Sequence, residues 1–350
     1  MAITHAAVKA SGDVGTAAEW NANHVISDDL LPKNFTTLIV AASNSLDTTR
    51  ADYVCDAIDD QDTINGAITA LPAGGGRISL LEGTYQITGP IIISKNNVSL
   101  VGLGSATIIQ TSDNITMISA TNRTGILIRD VRIVGTNNMT DPNNYGIYFS
   151  NTTKSVIYSC WIEDCGWAGI YIAAGCDGLL ISLCVVSSNE LYGVYFTGDG
   201  NSIVGNTIHG NGNTGLLIHI SDRNTVTGNI LTGNGAFGVL LLSGANQNII
   251  EGNVVSGNAS HGILLSTDCS NNVMTNNIVY DNGGEGIVLW SNCDENVMES
   301  NQVLSNAWNG IEIADASSDD NIILGCVVRL NGIGQISDLG TNTEAAHNKT

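Results

Sequence analysis

A glycine followed by alternating aliphatic residues recurs through this chain at Gly146, Gly169, Gly193, Gly215, Gly238, Gly262, Gly286 and Gly310, in steps of 23, 24, 22, 23, 24, 24 and 24 residues. A fixed period in this range defines a solenoid, in which each unit covers the hydrophobic surface of the next. Between these glycines runs a second phrase, Asn-x-aliphatic-x-x-Asn-x-aliphatic-x-x-Asn, as at Asn201, Asn206 and Asn211, or Asn272, Asn277 and Asn282. The short aliphatic runs alternate with a period of two, which is the strand period. Gly and Asn punctuate every run, and both tolerate the left-handed backbone that tight corners require. The spacing therefore predicts an all-β coil. Equivalent residues should ride over one another at about 4.8 Å, with Asn206, Asn229, Asn253, Asn277 and Asn301 forming an internal amide column.

This pattern resembles the right-handed parallel β-helix of the pectate-lyase-like superfamily, over roughly residues 45 to 340. The resemblance implies a single-stranded solenoid of coils of about 22–24 residues. That fold hosts lyases, hydrolases, epimerases, phage tailspikes and inert scaffolds, so chemistry must be argued from the site. The segment Asp62–Leu71 carries Ile64, Ala67, Ile68 and Leu71 on one helical face and is followed by Pro72 and Gly74 to Gly76. It is expected to cap the open N-terminal end of the coil. Four regions follow: an anchor or linker over 1–45, the capping helix and first coils over 46–110, the regular array over 111–340 and a tail over 341–350.

Residues 1–45 lack the repeat. Thr4, His5, Trp20, Asn21, His24, Val25 and Ile26 resemble the short N-terminal segment of many tailed-phage structural proteins. The resemblance implies attachment to other virion proteins. No basic stretch followed by an apolar one opens the chain, and no apolar run is long enough to span a bilayer. The expected location is thus a virion, or outside the cell after lysis. With 12 basic and 33 acidic residues the net charge is −21, which argues against nucleic acid and anionic membranes as partners.

Outward positions supply the candidate site residues. The second residue after each repeat glycine reads Tyr148, Tyr171, Tyr195, Leu217, Leu240, Leu264, Val288, Glu312, and the fourth includes His219, Leu242 and Trp290. Tyr148, Tyr171 and Tyr195, with Trp308, suit stacking against sugar rings. Leu217, Leu240, Leu242, Leu264, Val288 and Trp290, with Trp20, suit a covered interface, expected to be that of a trimer of parallel rods. His261 and Glu285 share one phase on neighbouring coils and form a candidate acid–base pair. Glu251 and Glu299 share another phase with Thr275 between them, and Glu163 and Asp164 stand near Trp161 and Trp167 in sequence.

Asp177, Asp199, Asp222, Asn246, Asp294 and Asp319 mark one corner. Asx-turn capping of their own backbone is the expected role, with Ca²⁺ binding as the alternative; no cofactor or other metal is expected. Cys160, Cys184 and Cys326 take the middle Asn position and Cys165 the last, as small buried substitutes. Cys269 and Cys293 share a phase that would permit a bridge.

Family motifs for chemistry are mostly missing. Arg129 and Arg132 lack a surrounding acid cluster, and Asp141-Pro142 is followed by Asn143 where alginate epimerases carry His. The favoured function is a phage tailspike, fibre or decoration protein binding host-surface glycan. The alternative is a polysaccharide lyase or glycoside hydrolase acting on an acidic polysaccharide.

Overall fold

The computed structural model describes residues 36–138 and 144–350. Each coil contributes one short strand to each of three parallel sheets, which hold 14, 11 and 11 strands among the described residues. One coil runs through Val273–Thr275 in the first sheet, Ile278–Tyr280 in the second and Ile287–Trp290 in the third. Each pairs in parallel with its successor one coil later, Met274 with Met298, Val279 with Val303 and Val288 with Glu312. Equivalent positions therefore form straight columns. Ile147, Ile170, Val194, Leu216, Val239, Ile263, Ile287 and Ile311 make one such column, wholly buried. Inward aliphatic side chains at every coil give one continuous core, the dominant favourable contribution to folding.

The expected amide column is present. Asn206 Nδ2 donates to Asn229 Oδ1 at 2.9 Å, and the link repeats at 3.0 Å from Asn229 to Asn253, Asn253 to Asn277 and Asn277 to Asn301. Each Oδ1 also accepts the backbone N–H of the Asn one coil before, as Asn253 Oδ1 does from Asn229 at 2.9 Å. The second Nδ2 proton goes to a core-strand carbonyl, Asn253 to Val226 O at 2.9 Å. Every polar atom of a fully buried side chain is thus satisfied, which is the condition for burying it at all. Two more columns run beside it, through Asn224, Asn248, Asn272 and Asn296 and through Asn211, Asn234, Asn258 and Asn282. The residue before each middle Asn turns the corner with φ between +56° and +66°: Gly205, Gly228, Gly252, Asn276, Ser300.

The glycines of the repeat phrase have a different role from the corner glycines. A Cβ on Gly262 would lie 2.4 Å from Val279 Cγ1 and 2.6 Å from Gly286 O, so close approach of the coil wall excludes any side chain there.

Cysteines substitute in the columns as expected. Cys184 N donates to Asn206 Oδ1 at 2.9 Å above the middle column, and Asn301 Nδ2 reaches Cys326 Sγ at 3.9 Å below it. All eight cysteines are buried free thiols. Cys269 and Cys293 form no bridge; their thiols donate to Ser266 O at 3.3 Å and Trp290 O at 3.0 Å.

Helix α1, Asp60–Ala70, is the one α-helix among the described residues. It lays Ile64, Ala67 and Ile68 on the first coil. Its Asp60 carboxylate accepts the N–H of Ala57 at 3.0 Å and of Gln86 at 2.7 Å. Pairing begins within the 1–45 region, because Thr37–Ala41 lies in the first sheet between Tyr53–Val54 and Gly76–Leu80. At the other end Glu344–Ala346 pairs with Ile322–Leu324, so the 341–350 tail adds a rung. Trp20 and the phage-like phrase at Thr4 to Ile26 lie outside the described residues.

Replacing Asn253 by Ala orphans the backbone N–H and the amide of Asn229, each buried. Denaturant titration should show a loss of about 3 kcal/mol, the scale of two unmet buried donors. A loss indistinguishable from that of a surface Asn would contradict the ladder's role.

Candidate functional site

The outward face of the third sheet gathers most of the candidate residues. Because the repeat glycine and the residue after it both face the wall or core, the residue before the glycine points outward beside the second residue after it. Two columns therefore stand side by side. One reads Tyr145, Ala168, Tyr192, Thr214, Phe237, His261, Glu285, Asn309, and the other Tyr148, Tyr171, Tyr195, Leu217, Leu240, Leu264, Val288, Glu312. The doubled column is what the sequence reading missed. Its signal was present, since Tyr145, Tyr192, Phe237, His261 and Glu285 all fall one place before a repeat glycine.

At the upper end the tyrosines stack on one another. Tyr171 and Tyr195 have ring centroids 4.6 Å apart and planes inclined by 9°, while Tyr148 meets Tyr171 at 5.4 Å. Tyr171 and Tyr195 lie face to face and Tyr148 is tilted by 53° against Tyr171, so ring faces expected to meet sugars are partly covered by neighbouring rings. What the stripe offers outward is ring edges and phenol hydroxyls. Trp167 lies across it, 5.3 Å from Tyr195 and 5.1 Å from Tyr192. It belongs to this face and not with Glu163, which sits on the second sheet beside exposed Trp161. Tyr195 Oη and His219 Nδ1 are hydrogen-bonded at 2.9 Å.

In the middle, Leu217, Leu240, Leu264 and Val288 are at most 8 % exposed. Tyr192, Tyr195, Phe237, Leu242 and Trp290 of the same chain pack over them. Their burial is intramolecular, contrary to the expectation that a sister subunit covers them. Leu242 and Trp290 stay half-buried.

At the lower end stands a polar cluster. Glu285 Oε2 lies 2.6 Å from His261 Nδ1, and that nitrogen also faces the Glu285 N–H at 3.2 Å. Both side chains are nearly inaccessible. The backbone N–H of Glu285 occupies the lone pair of Nδ1, and Glu285 Oε2 faces that nitrogen as a buried oxygen with no hydrogen-bond donor, so charge on the carboxyl is disfavoured. Burial, then the hydrogen bond shared with Glu312, pushes the Glu285 carboxyl up to about 7. Burial pulls the His261 imidazole down, with the Glu312 charge opposing. The favoured state is neutral acid beside neutral base. Asn309 Nδ2 donates to Glu312 Oε2 at 3.0 Å and orients it. Phe237 stacks on His261 at 5.5 Å, Trp290 meets it edge-on at 5.1 Å, and Trp308, 48 % exposed, borders it at 6.2 Å. Trp308 is thus the aromatic side chain here with the most surface free for a ligand. Glu312, read from the sequence only as the last member of its column, completes the cluster.

The remaining candidates lie elsewhere. Glu251 and Glu299 flank Thr275 on the first sheet, as their spacing requires. Arg129 and Arg132 lie near a corner between the first and second sheets, paired with Asp130 at 2.5 Å and with Glu163 at 2.7 Å. The acidic corner column caps mainly the neighbouring coil, and its own backbone at Asp319, whose Oδ1 accepts the Asp320 N–H at 2.9 Å, and at Asn246, whose Nδ2 donates to Gly244 O at 2.9 Å. Asp199 Oδ1 accepts the N–H of Asp222 at 2.8 Å, and Asp294 Oδ1 that of Asp319 at 2.8 Å. Among the described residues no three His, Cys, Asp or Glu side chains gather as a metal set. Nor is any helix among them long and apolar enough to cross a membrane.

Three parallel sheets wound by one strand per coil define the class of a parallel β-helix. The family model described as a right handed beta helix region matches residues 81–208 and 174–328, and the chain belongs to that family. No curated protein matches it. Among solved structures it is similar to the A-module of the Azotobacter vinelandii mannuronan C-5 epimerase AlgE4, at 20% identity and a TM-score of 0.68, covering 84% of this chain and 94% of that one. It is also similar to ORF18 of Geobacillus virus E2, at 19% identity and a TM-score of 0.56, covering 81% and 56%. The Dettilon tailspike protein gp208 matches at 17% identity and a TM-score of 0.54, covering 77% and 50%. At these identities the likeness is one of fold.

The perturbed pair sets a pH dependence. A carboxyl raised in the folded state binds a proton there that the unfolded chain releases near its ordinary pKa of 4.5, so its contribution falls as pH rises toward about 7. The lowered imidazoles of His219 and His261 act oppositely, adding stability as pH rises through 6.5. Glu285→Gln should remove the falling component, leaving the variant more stable than the parent at pH 8 in thermal unfolding. Equal losses at pH 5 and pH 8 would contradict this.

Proposed function

We propose that the chain is a β-helical rod of a phage virion appendage that holds a cell-surface glycan along the outward face of the third sheet. The observation that carries this reading is the strip itself. It runs from Tyr145 and Trp167 through Tyr195 and His219 to Trp290, Trp308 and Glu312, mixing aromatic edges with hydroxyl, imidazole and carboxyl groups. Eight coils at about 4.8 Å make it long enough for several sugars in a row. Aromatic surface for C–H groups beside polar groups for hydroxyls is the chemistry that recognises carbohydrate. The viral proteins among the structural neighbours support the virion setting, as does the phage-like phrase in residues 1–45. In this reading residues 1–45 attach to other virion proteins. Half-exposed Leu242 is then the member of the apolar set left for contact between rods of a trimer.

One observation favours a second reading, a polysaccharide lyase or glycoside hydrolase. Glu285 is poised to hold a proton near neutral pH, between an imidazole and a second carboxyl, and paired acids serve acid–base cleavage of glycosides.

The test is incubation of the purified chain with bacterial surface polysaccharides, following retention and reducing ends together. Retention without new reducing ends is expected. Reducing ends released by the parent and not by Glu312→Gln would transfer the conclusion to the hydrolase, and unsaturated uronate to the lyase. Light scattering should give three times the chain mass; a monomer at micromolar concentration would remove the trimer.

A further inference from the structure

Cations are distributed very unevenly along this rod. Between Lys154 and Arg329 the chain has a single Lys or Arg, Arg223, across the coils that build most of the strip. Arg223 stands at the corner beyond the third-sheet strand, and its guanidinium reaches Asp199 at 3.5 Å. Arg129 and Arg132 lie over Tyr158 and Trp161 near another corner, and each is held by a carboxylate, Asp130 or Glu163. On the strip itself the titratable side chains of ordinary acid–base range are His219, His261, Glu285 and Glu312, with Glu190 at its edge. Burial disfavours charge on both imidazoles. The face therefore presents tyrosine hydroxyls, amides and indoles, with carboxyl groups as its charge-bearing members.

We infer that the glycan held on this face is uncharged, a polymer of neutral hexoses, deoxyhexoses or N-acetylhexosamines and not a uronate. The inference rests on the reading of the third-sheet face as a glycan site and narrows it. A uronate chain laid along the strip would bring one carboxylate after another toward Glu312, while Arg123, Lys154 and Arg223 stand beyond the ends of the third-sheet strands and not on the strip. The net charge of −21 adds repulsion at longer range. Neutral sugars pay no such cost, and their C–H faces and hydroxyls match what the strip offers. The same shortage bears on chemistry. Removing a proton beside a uronate carboxylate builds charge that an enzyme must meet with a cation or a set of donors aimed at it, and no Lys or Arg of the strip supplies the former. The alternative reading from the sequence, cleavage of an acidic polysaccharide, is disfavoured on the same ground.

The experiment titrates the whole chain, at low and at physiological salt, with dextran, mannan and a soluble N-acetylglucosamine polymer in one arm and alginate, polygalacturonate and hyaluronan in the other. Calorimetry or affinity electrophoresis reads binding. Binding to at least one neutral polymer and to none of the uronates is expected. Trp308→Ala and Tyr171→Ala should each weaken it about tenfold. Trp161→Ala, an exposed aromatic on the second sheet, should leave it unchanged. Circular dichroism identifies any variant that misfolds, for which Trp308→Tyr is substituted and a smaller loss expected. Uronate binding that Trp308→Ala weakens would overturn the inference and leave the glycan face standing. Binding to no polymer, or binding indifferent to both aromatic substitutions, would overturn the glycan face as well.

Discussion

Hydrogen bonds passed from one coil to the next by stacked asparagine amides set the spacing and register on which the rest of this molecule depends. An amide carries two donors and an acceptor of two lone pairs, so one side chain can serve the Asn of the coils on either side and a core-strand carbonyl of the coil before. In Asn253 these roles fall to Asn277, Asn229 and Val226. A side chain with fewer groups cannot pass the amide bonds on, so Cys184 and Cys326 interrupt the chain of amides, which resumes below Cys326 at Asn348, whose Oδ1 accepts the Cys326 N–H at 2.9 Å. The left-handed residue before each Asn bends the chain, and the Asn absorbs the polar groups the bend exposes.

Strict register has a consequence on the outside. Rings separated by one coil are brought into contact, face to face at Tyr171 and Tyr195 and tilted at Tyr148 and Tyr171, so an aromatic column supports itself. Tyr171 and Tyr195 show this, and Trp167 closes the pile from the side. Where the column changes to leucine, the neighbouring column of Tyr192 and Phe237 covers it. The outer face thus holds a second, smaller apolar cluster, formed with no partner.

Where both columns turn polar, register brings Glu285 against His261 one coil above and Glu312 one coil below. Packing among Phe237, Trp290 and Trp308 makes the environment dry enough to favour neutral forms. An acid and a base are then held in contact with little net charge.

The period, the inward alternation and the Asn phrase were all legible in the sequence, because each is a local rule repeated many times and stacking turns repetition directly into columns. That is why the amide ladder, the cysteine substitutions and a capping helix, expected over Asp62–Leu71 and found over Asp60–Ala70, follow from spacing. Spacing also put His261 and Glu285 on neighbouring coils. What it left open was the residue before each repeat glycine, whose direction depends on two consecutive residues, Gly262 and Ile263 for example, both turning toward the wall. That irregularity belongs to close backbone approach, Gly262 against Gly286, and carries no period of its own. Only the tertiary structure therefore decided that Leu264 is covered by its own chain, that Trp167 leaves Glu163 for the tyrosines, and that Glu312 joins His261. In each case the deciding contact is lateral, between columns, while the repeat specifies only what lies above and below.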